Sequence, residues 1–232
     1  MLRALADDLL SSLLPGKCPG CGRRAEPVCD QCVRAMRVAP SGRPIPGISS
    51  TVSAFAYEGV ARELVARAKY RNQRVAVRWL AARLAQCCVA LPAHIDVVTW
   101  VPASAARRSA RGIDHGALLA RAVGAALDIA VECLLTRDNG PPQTGRPVDE
   151  RRAGPTLQGT GSIAGRAVLV VDDVVTTGAT LAAAAHILRN CGARDIVAGT
   201  VARTPKPADR LRSAAYTPTT VSFSTRSGRS RG

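Results

Sequence analysis

Apolar residues from position 51 onward form short continuous runs, and these alternate with longer stretches of helical period. Continuous runs of β-type residues predict strands buried on both faces, as in parallel sheets. The predicted strands are 51–57, 96–101, 131–135, 167–173 and 195–202, and the predicted helices are 60–69, 75–90, 113–127 and 180–191. This alternation predicts an α/β domain with a parallel sheet flanked by helices.

Breaks in the hydrophobic pattern divide the chain. The segment 39–50 is rich in proline, glycine and serine, and it predicts a linker between an N-terminal module (1–38) and the α/β domain (51–204). The last part, 205–232, predicts a basic, disordered tail. Residues 136–165 are rich in proline and glycine without an apolar period, and they predict a long loop. Loops of this length inside a domain are uncommon and often functional.

The composition predicts a globular protein, and the N-terminal sequence predicts that it stays in the cytoplasm. Hydrophobic residues make up 47% and charged residues 21% of the chain, which is close to the average for such proteins. The apolar stretch at the N-terminus is too short to span a membrane, and Asp7 and Asp8 interrupt it. In a reducing compartment, closely paired cysteines favour metal binding over disulfides.

The net charge of +15 favours phosphorylated or polyanionic partners. One hypothesis is single-stranded DNA, bound along a stripe of basic side chains that runs from the N-terminal module across the first long helix: Arg23, Arg24, Arg34, Arg37, Arg62, Arg67, Lys69 and Arg71. The alternative is solvated charge that is scattered over every face.

An acidic pair follows the apolar run Val168–Val171. Two adjacent carboxylates at the end of a buried strand are costly unless they meet hydroxyls, a metal or cations, and a ribose diol would suit them. The next residues form a turn into a helix, where backbone amides and hydroxyls favour an anion. Asp172 and Asp173 are therefore candidate ribose ligands, and the candidate phosphate ligands are Thr176, Thr177, Gly178, Ala179 and Thr180.

A basic turn follows the predicted strand 96–101. Its small residues would let backbone amides approach a phosphate, and its arginines could donate paired hydrogen bonds to a diphosphate. The candidate diphosphate ligands are Ala103, Ser104, Arg107, Arg108 and Arg111.

Two CxxC units, Cys18–Cys21 and Cys29–Cys32, are separated by seven residues. Each unit can present two thiolates, so the two together predict a closed, structural Zn²⁺ site with four cysteine ligands. The alternative is a redox-active dithiol.

The segment VLVVDDVVTTGATL, from Val168 to Leu181, resembles the signature for phosphoribosyl diphosphate (PRPP) binding in type I phosphoribosyltransferases. The resemblance implies that Asp172 and Asp173 hold the ribose hydroxyls and that Thr176–Thr180 hold the 5-phosphate. The basic turn would hold the leaving diphosphate. Mg²⁺ would be bound mainly by oxygens of PRPP itself.

The order of cysteine module, linker and transferase domain resembles the ComF family, as do Tyr57-Glu58-Gly59 and Lys69-Tyr70-Arg71. The chain departs from that family at Ile113-Asp114-His115, where members carry an aromatic residue, Asn and Gln. The resemblance implies a PRPP-binding transferase linked to competence, with DNA-uptake proteins as partners and an acceptor that stays open. The alternative is a non-catalytic accessory protein that binds nucleic acid through its basic surface.

Overall fold

The computed structural model describes residues 16–25, 27–70, 74–92, 94–103, 114–137 and 157–206. The apolar stretch at the N-terminus, most of the basic turn, much of the long loop and the predicted tail lie outside the described residues. The described helices are α1 (Asp30–Arg34), α2 (Gly59–Tyr70), α3 (Arg74–Cys88), α4 (His115–Leu127) and α5 (Ala179–Asn190). The strands are β1 (Ser50–Ala56), β2 (Val97–Trp100), β3 (Leu135–Arg137), β4 (Leu157–Gly159), β5 (Ala167–Val175) and β6 (Asp195–Arg203).

Four parallel strands form the main sheet, in the order β1-β6-β5-β2. The central strand β5 begins with an apolar run from Ala167 to Val171 that is almost completely buried. Side chains of such a strand are covered on both faces, because helices connect parallel neighbours across the sheet. The predicted α/β architecture is confirmed.

The two faces of the sheet bury separate apolar clusters. Helices α2, α3 and α4 cover one face, where the rings of Phe55 and Trp79 stack with centroids 5.8 Å apart. Helix α5 covers the other face and buries Leu181 and Leu188. The N-terminal module belongs to the first cluster, since its residues Cys32 and Met36 are buried there with Leu64.

The predicted strand 131–135 is wrong in most of its length. Only Val131 pairs with β2, through a single bridge to Val98. The backbone amide of Leu134 then donates to the Thr99 hydroxyl at 3.3 Å, and the chain turns away from the main sheet. Leu135–Arg137 pair instead with Leu157–Gly159 in a two-stranded antiparallel sheet, so part of the predicted loop is strand β4.

The predicted linker packs along the α/β domain. Ile45 is buried in the cluster under α5, and Gly42 lies against the guanidinium group of Arg203. The segment 39–50 therefore contributes an apolar anchor close to the start of α5. The limits 1–38, 39–50, 51–204 and 205–232 remain a prediction for independent folding units.

Among the described helices, none combines the length and the apolar character that a membrane span requires.

Candidate functional site

A cavity of about 500 Å³ opens at the carboxyl edge of the main sheet. Ligands of open parallel sheets bind at this edge, because loops and helix N-termini converge there. The lining comes from the ends of β1, β2 and β5, from α2 and α4, and from β3: Tyr57, Lys69, Val101, Pro102, Ala103, Asp114, His115, Gly116, Arg137, Asp172, Asp173, Val174, Thr176 and Thr180.

The acid pair lies within β5, as the predicted strand 167–173 has it, and the strand continues beyond the pair to Val175. Pairing with β2 stops at Val171, whereas pairing with β6 continues through Asp172 and Val175. The strand is longer than predicted because its neighbour β6 continues to supply hydrogen-bond partners. Both acids therefore line the cavity beyond the end of β2, and their side chains leave opposite faces of β5 because successive residues of a strand alternate.

The two acids differ in their contacts. Asp173 Oδ2 lies 2.7 Å from the Lys69 ammonium group, and its backbone amide donates to Asp172 Oδ1 at 2.8 Å. Neither carboxylate is fully buried. Lys69, the cation that pairs with Asp173, comes from α2, a helix that is distant from β5 in sequence.

The turn Thr176–Thr180 leads into α5, with Gly178 as the residue before its first turn. Gly178 has a φ of 84°, a conformation that glycine adopts without strain. The Thr177 hydroxyl accepts a hydrogen bond from the Ala179 amide at 3.3 Å, and the turn lines a smaller depression next to Asp172. Helix N-termini of this kind attract anions.

Substituting alanine for Gly178 should destabilise the protein by about 1–3 kcal/mol, because a Cβ there is strained at positive φ and lies 2.9 Å from Ile45 Cγ1. Urea unfolding measures this loss. Gly161→Ala is the matched control, since a Cβ at Gly161 meets no atom within 4 Å. Equal stability of the two variants would contradict the prediction.

Beyond β2, the structure describes only the beginning of the predicted diphosphate loop. Ala103 lines the cavity, whereas Ser104, Arg107, Arg108 and Arg111 lie outside the described residues. Asp114 begins α4 and accepts hydrogen bonds from the Gly116 amide at 3.0 Å and the Trp100 indole at 3.2 Å. At the position where the chain departs from the ComF pattern, the carboxylate therefore caps a helix at the cavity wall.

Five cavity residues with polar side chains were not predicted as site residues: Tyr57, Lys69, Asp114, His115 and Arg137. Tyr57 follows directly on β1, so the rule that ligands bind at carboxyl ends of strands could have indicated it. Lys69, His115 and Arg137 carry no such signal, because their place in the cavity depends on how helices and the small sheet pack.

The four predicted metal ligands come together. The Sγ atoms of Cys18, Cys21, Cys29 and Cys32 all lie within 4.8 Å of one another, and a tetrahedral zinc site with bonds near 2.3 Å needs separations of about 3.8 Å. Cys21 Sγ and Cys29 Sγ are 3.6 Å apart. The donor set therefore fits a soft, four-coordinate ion such as zinc.

Backbone amides favour the thiolate form of one ligand. Burial by itself would raise the pKa of Cys18, but amides of Cys29, Cys21 and Gly20 donate to its sulfur and lower that pKa to about 6. Burial and the neighbouring thiols raise the pKa of Cys32. A thiolate that forms readily next to three thiols is suited to begin metal binding, which releases the remaining protons.

The predicted basic stripe is only partly available for another partner. Arg37, Arg67 and Lys69 form ion pairs with Glu58, Glu63 and Asp173. The exposed members among the described residues are Arg23, Arg24, Arg34 and Arg62.

Residues 111–226 match the family model of the phosphoribosyl transferase domain. A segment of 39 residues is 59% identical to adenine phosphoribosyltransferase of Mycolicibacterium smegmatis, and it covers 17% of this chain and 22% of that protein. The similarity thus spans about a fifth of the length of this relative.

Solved structures with similar folds include a glutamine PRPP amidotransferase from B. subtilis, with 22% identity and a TM-score of 0.44. That match covers 59% of this chain and 30% of the amidotransferase. A purine phosphoribosyltransferase from Pyrococcus horikoshii matches with 22% identity and a TM-score of 0.35, over 56% of this chain and 72% of that chain.

Proposed function

This chain belongs to the phosphoribosyl transferase domain family, and we propose that it binds PRPP in the cavity at the carboxyl edge of its sheet. One observation carries the proposal: the acid pair and the threonine-glycine turn open into the same cavity of about 500 Å³. Carboxylates that accept hydrogen bonds from a diol, next to helix amides that bind an anion, match the two ends of ribose 5-phosphate.

The arrangement of the cavity suggests how PRPP would lie in it. The 5-phosphate would bind to the turn Thr176–Thr180, and the ribose hydroxyls would donate to Asp172 and Asp173. The diphosphate would then extend toward Ala103 and the loop that continues through Ser104, Arg107, Arg108 and Arg111. In this orientation each of the predicted contact groups meets a different part of one ligand.

The proposed reaction is phosphoribosyl transfer. The bond between C1 of the ribose and the diphosphate oxygen breaks, and a bond forms between C1 and a nucleophilic atom of the acceptor, which gives up its proton. Diphosphate leaves with the bonding electron pair. The protein would contribute by holding the ribose and the phosphate and by placing donors at the leaving group.

Magnesium fits this cavity through the chemistry of its oxygen donors, namely the carboxylates of Asp172 and Asp173 together with the oxygens of PRPP. It would neutralise charge on the diphosphate.

We propose further that the protein is of the ComF type. The supporting observation is that the four-cysteine cluster precedes the transferase domain and packs into the same apolar core. Zinc would be its ion and its role would be structural, since four thiolates leave no open coordination position. A link to competence and to DNA-uptake proteins follows from this assignment.

Calorimetry with PRPP and magnesium tests the binding, and release of diphosphate with a panel of bases and nucleosides tests the transfer. We expect PRPP to bind more tightly than ribose 5-phosphate, because the diphosphate adds contacts. The same titration after heat denaturation is the control. Absence of PRPP binding to folded, zinc-loaded protein would refute the proposal.

Binding of single-stranded DNA is a second candidate function. Val60, at the start of α2, packs against Gly20 of the cysteine module, so the exposed Arg62 belongs to an element in contact with the module that bears Arg23, Arg24 and Arg34. A surface of this kind would bind phosphates without reading bases, because the chain has few aromatic residues for stacking.

Binding to single-stranded DNA should weaken steeply with salt, with a log–log slope of about −0.7 for each phosphate that is neutralised. Gel-shift titrations at two salt concentrations measure it. Reversing Arg23 and Arg24 to glutamate should remove most of the shift, whereas Arg194→Glu, which changes a residue paired with Asp96, serves as the control. No shift at low salt would exclude this function.

A further inference from the structure

Lys69 is a cation that the structure brings to Asp173 of the acid pair. It lies in the last turn of α2 and lines the cavity, with its Nζ 2.7 Å from Asp173 Oδ2. Its side chain is only 21% exposed and that of Asp173 34%. A contact this short between two partly covered charges is a charge-assisted hydrogen bond rather than a loose surface pair.

The neighbouring basic residue of the same helix behaves differently. Arg67 pairs at 2.6 Å with Glu63, one turn earlier on α2, which is an ordinary stabilising pair on a helix surface. Lys69 instead reaches across to β5. Both residues lie in the last turn of α2, where a cation is favoured, so the helix terminus alone does not explain why Lys69 meets Asp173.

The surroundings of this pair strengthen its electrostatic effect. A small and largely apolar cleft adjoins Lys69 and Asp173, and its lining includes Val65, Val77, Leu80 and Leu119 together with His115. Charges interact more strongly beside apolar groups than in open water, because the effective dielectric constant is lower there. The charge of Asp173 would therefore act strongly on an anionic ligand if no cation accompanied it.

A PRPP site that uses two carboxylates faces a conflict. The carboxylates accept hydrogen bonds from the ribose hydroxyls, but their charge repels the phosphate groups of the same ligand. A lysine on one carboxylate removes most of that repulsion and leaves oxygen lone pairs available for a hydroxyl. The repulsion grows with ligand charge, so it matters more for PRPP than for ribose 5-phosphate, which lacks the diphosphate.

We infer that Lys69 is a positioning residue that neutralises Asp173 and thereby makes the cavity select PRPP over ribose 5-phosphate. The inference rests on the proposed function, because it concerns the same cavity. Lys69 acts through Asp173 and holds the carboxylate in place for the ribose.

The test compares K69M with R67M by calorimetry, using PRPP and ribose 5-phosphate at one magnesium concentration and one ionic strength. Each variant loses one positive charge from the same turn of α2. K69M should bind PRPP at least about tenfold more weakly than the wild type, because the charge of Asp173 then repels the phosphate groups of the ligand. Its affinity for ribose 5-phosphate should fall less than about threefold, and R67M should match the wild type for both ligands.

A second comparison separates this role from a merely structural one. In D173N, which retains Asp172, Lys69 has no carboxylate to hold in place, so adding K69M should cost less PRPP affinity than K69M costs in the wild type. The comparison of D173N with the double variant D173N, K69M also tests the inference if K69M alone does not fold. Equal losses for both ligands in K69M, or a tenfold loss on adding K69M to D173N, would overturn the inference. Failure of the wild type to bind PRPP would instead refute the proposed function.

Discussion

Replacing Asp172 and Asp173 together by asparagine should abolish measurable PRPP binding and leave the fold intact. An asparagine has nearly the shape of an aspartate, but its single amide oxygen is a weaker acceptor for the ribose hydroxyls. Hydrogen bonds to a charged group contribute about 1.5–3 kcal/mol each, so losing two predicts a drop in affinity of about two to four orders of magnitude. The strand itself depends on backbone pairing with β6, which the substitution preserves.

The matched control is the double variant Glu63→Gln and Asp128→Asn. It removes two negative charges from exposed positions that do not line the cavity, and asparagine tolerates the left-handed conformation of Asp128, whose φ is 57°. Calorimetry gives the affinities, and circular dichroism with thermal unfolding verifies the fold. Unchanged PRPP affinity in the Asp172, Asp173 variant would refute their assignment to the ribose.

Loss of one cysteine ligand should release the metal and destabilise the whole domain. Cys21 is exposed, so Cys21→Ser costs little by itself and its effect comes from the lost coordination. We expect zinc content to fall from about one ion per chain to near zero, and the free energy of unfolding to fall by more than about 3 kcal/mol. For a chain of this size that loss lowers the melting temperature by roughly 6–12 °C.

The effect should reach beyond the module, because its residues share an apolar cluster with the main domain. Cys32 and Met36 are buried in the same cluster as Phe55 and Leu64. Cys133→Ser is the matched control, since Cys133 is an exposed thiol outside the four-cysteine cluster. Metal analysis and thermal unfolding measure both variants. Full zinc content in Cys21→Ser, or a metal-free wild type of unchanged stability, would contradict the structural role.

Some features could be predicted from the sequence because their causes are local. The run Val168–Val171 predicts a buried central strand, since continuous β-type residues fit only a sheet covered on both faces. The glycine that follows predicts the turn, because a left-handed residue before a helix favours glycine. The CxxC spacing likewise predicts the four-cysteine cluster, as two thiolates in one short loop are already close.

Other features depended on a neighbour that lies far away in sequence. Strand β5 continues past the acid pair because β6 pairs with it up to Val175, and no pattern within β5 reveals how long its neighbour is. Val131–Leu135 has the composition of a strand, yet only Val131 forms a bridge with β2, and Leu135 pairs with Gly159 in the small sheet. Propensity indicates only that a segment is compatible with a strand, whereas pairing with a neighbouring strand decides whether the strand forms.

The sequence by itself determined the α/β class, the acid pair, the threonine-glycine turn and the cysteine pairs, because hydrophobic period, turn chemistry and short spacings act over a few residues. The tertiary structure alone decided that Lys69 pairs with Asp173, that Ile45 of the predicted linker supports Gly178, and that the cysteine module joins the main core. Contacts of this kind join elements that are far apart along the chain. Their partners are chosen by packing, for which a single sequence offers no local signal.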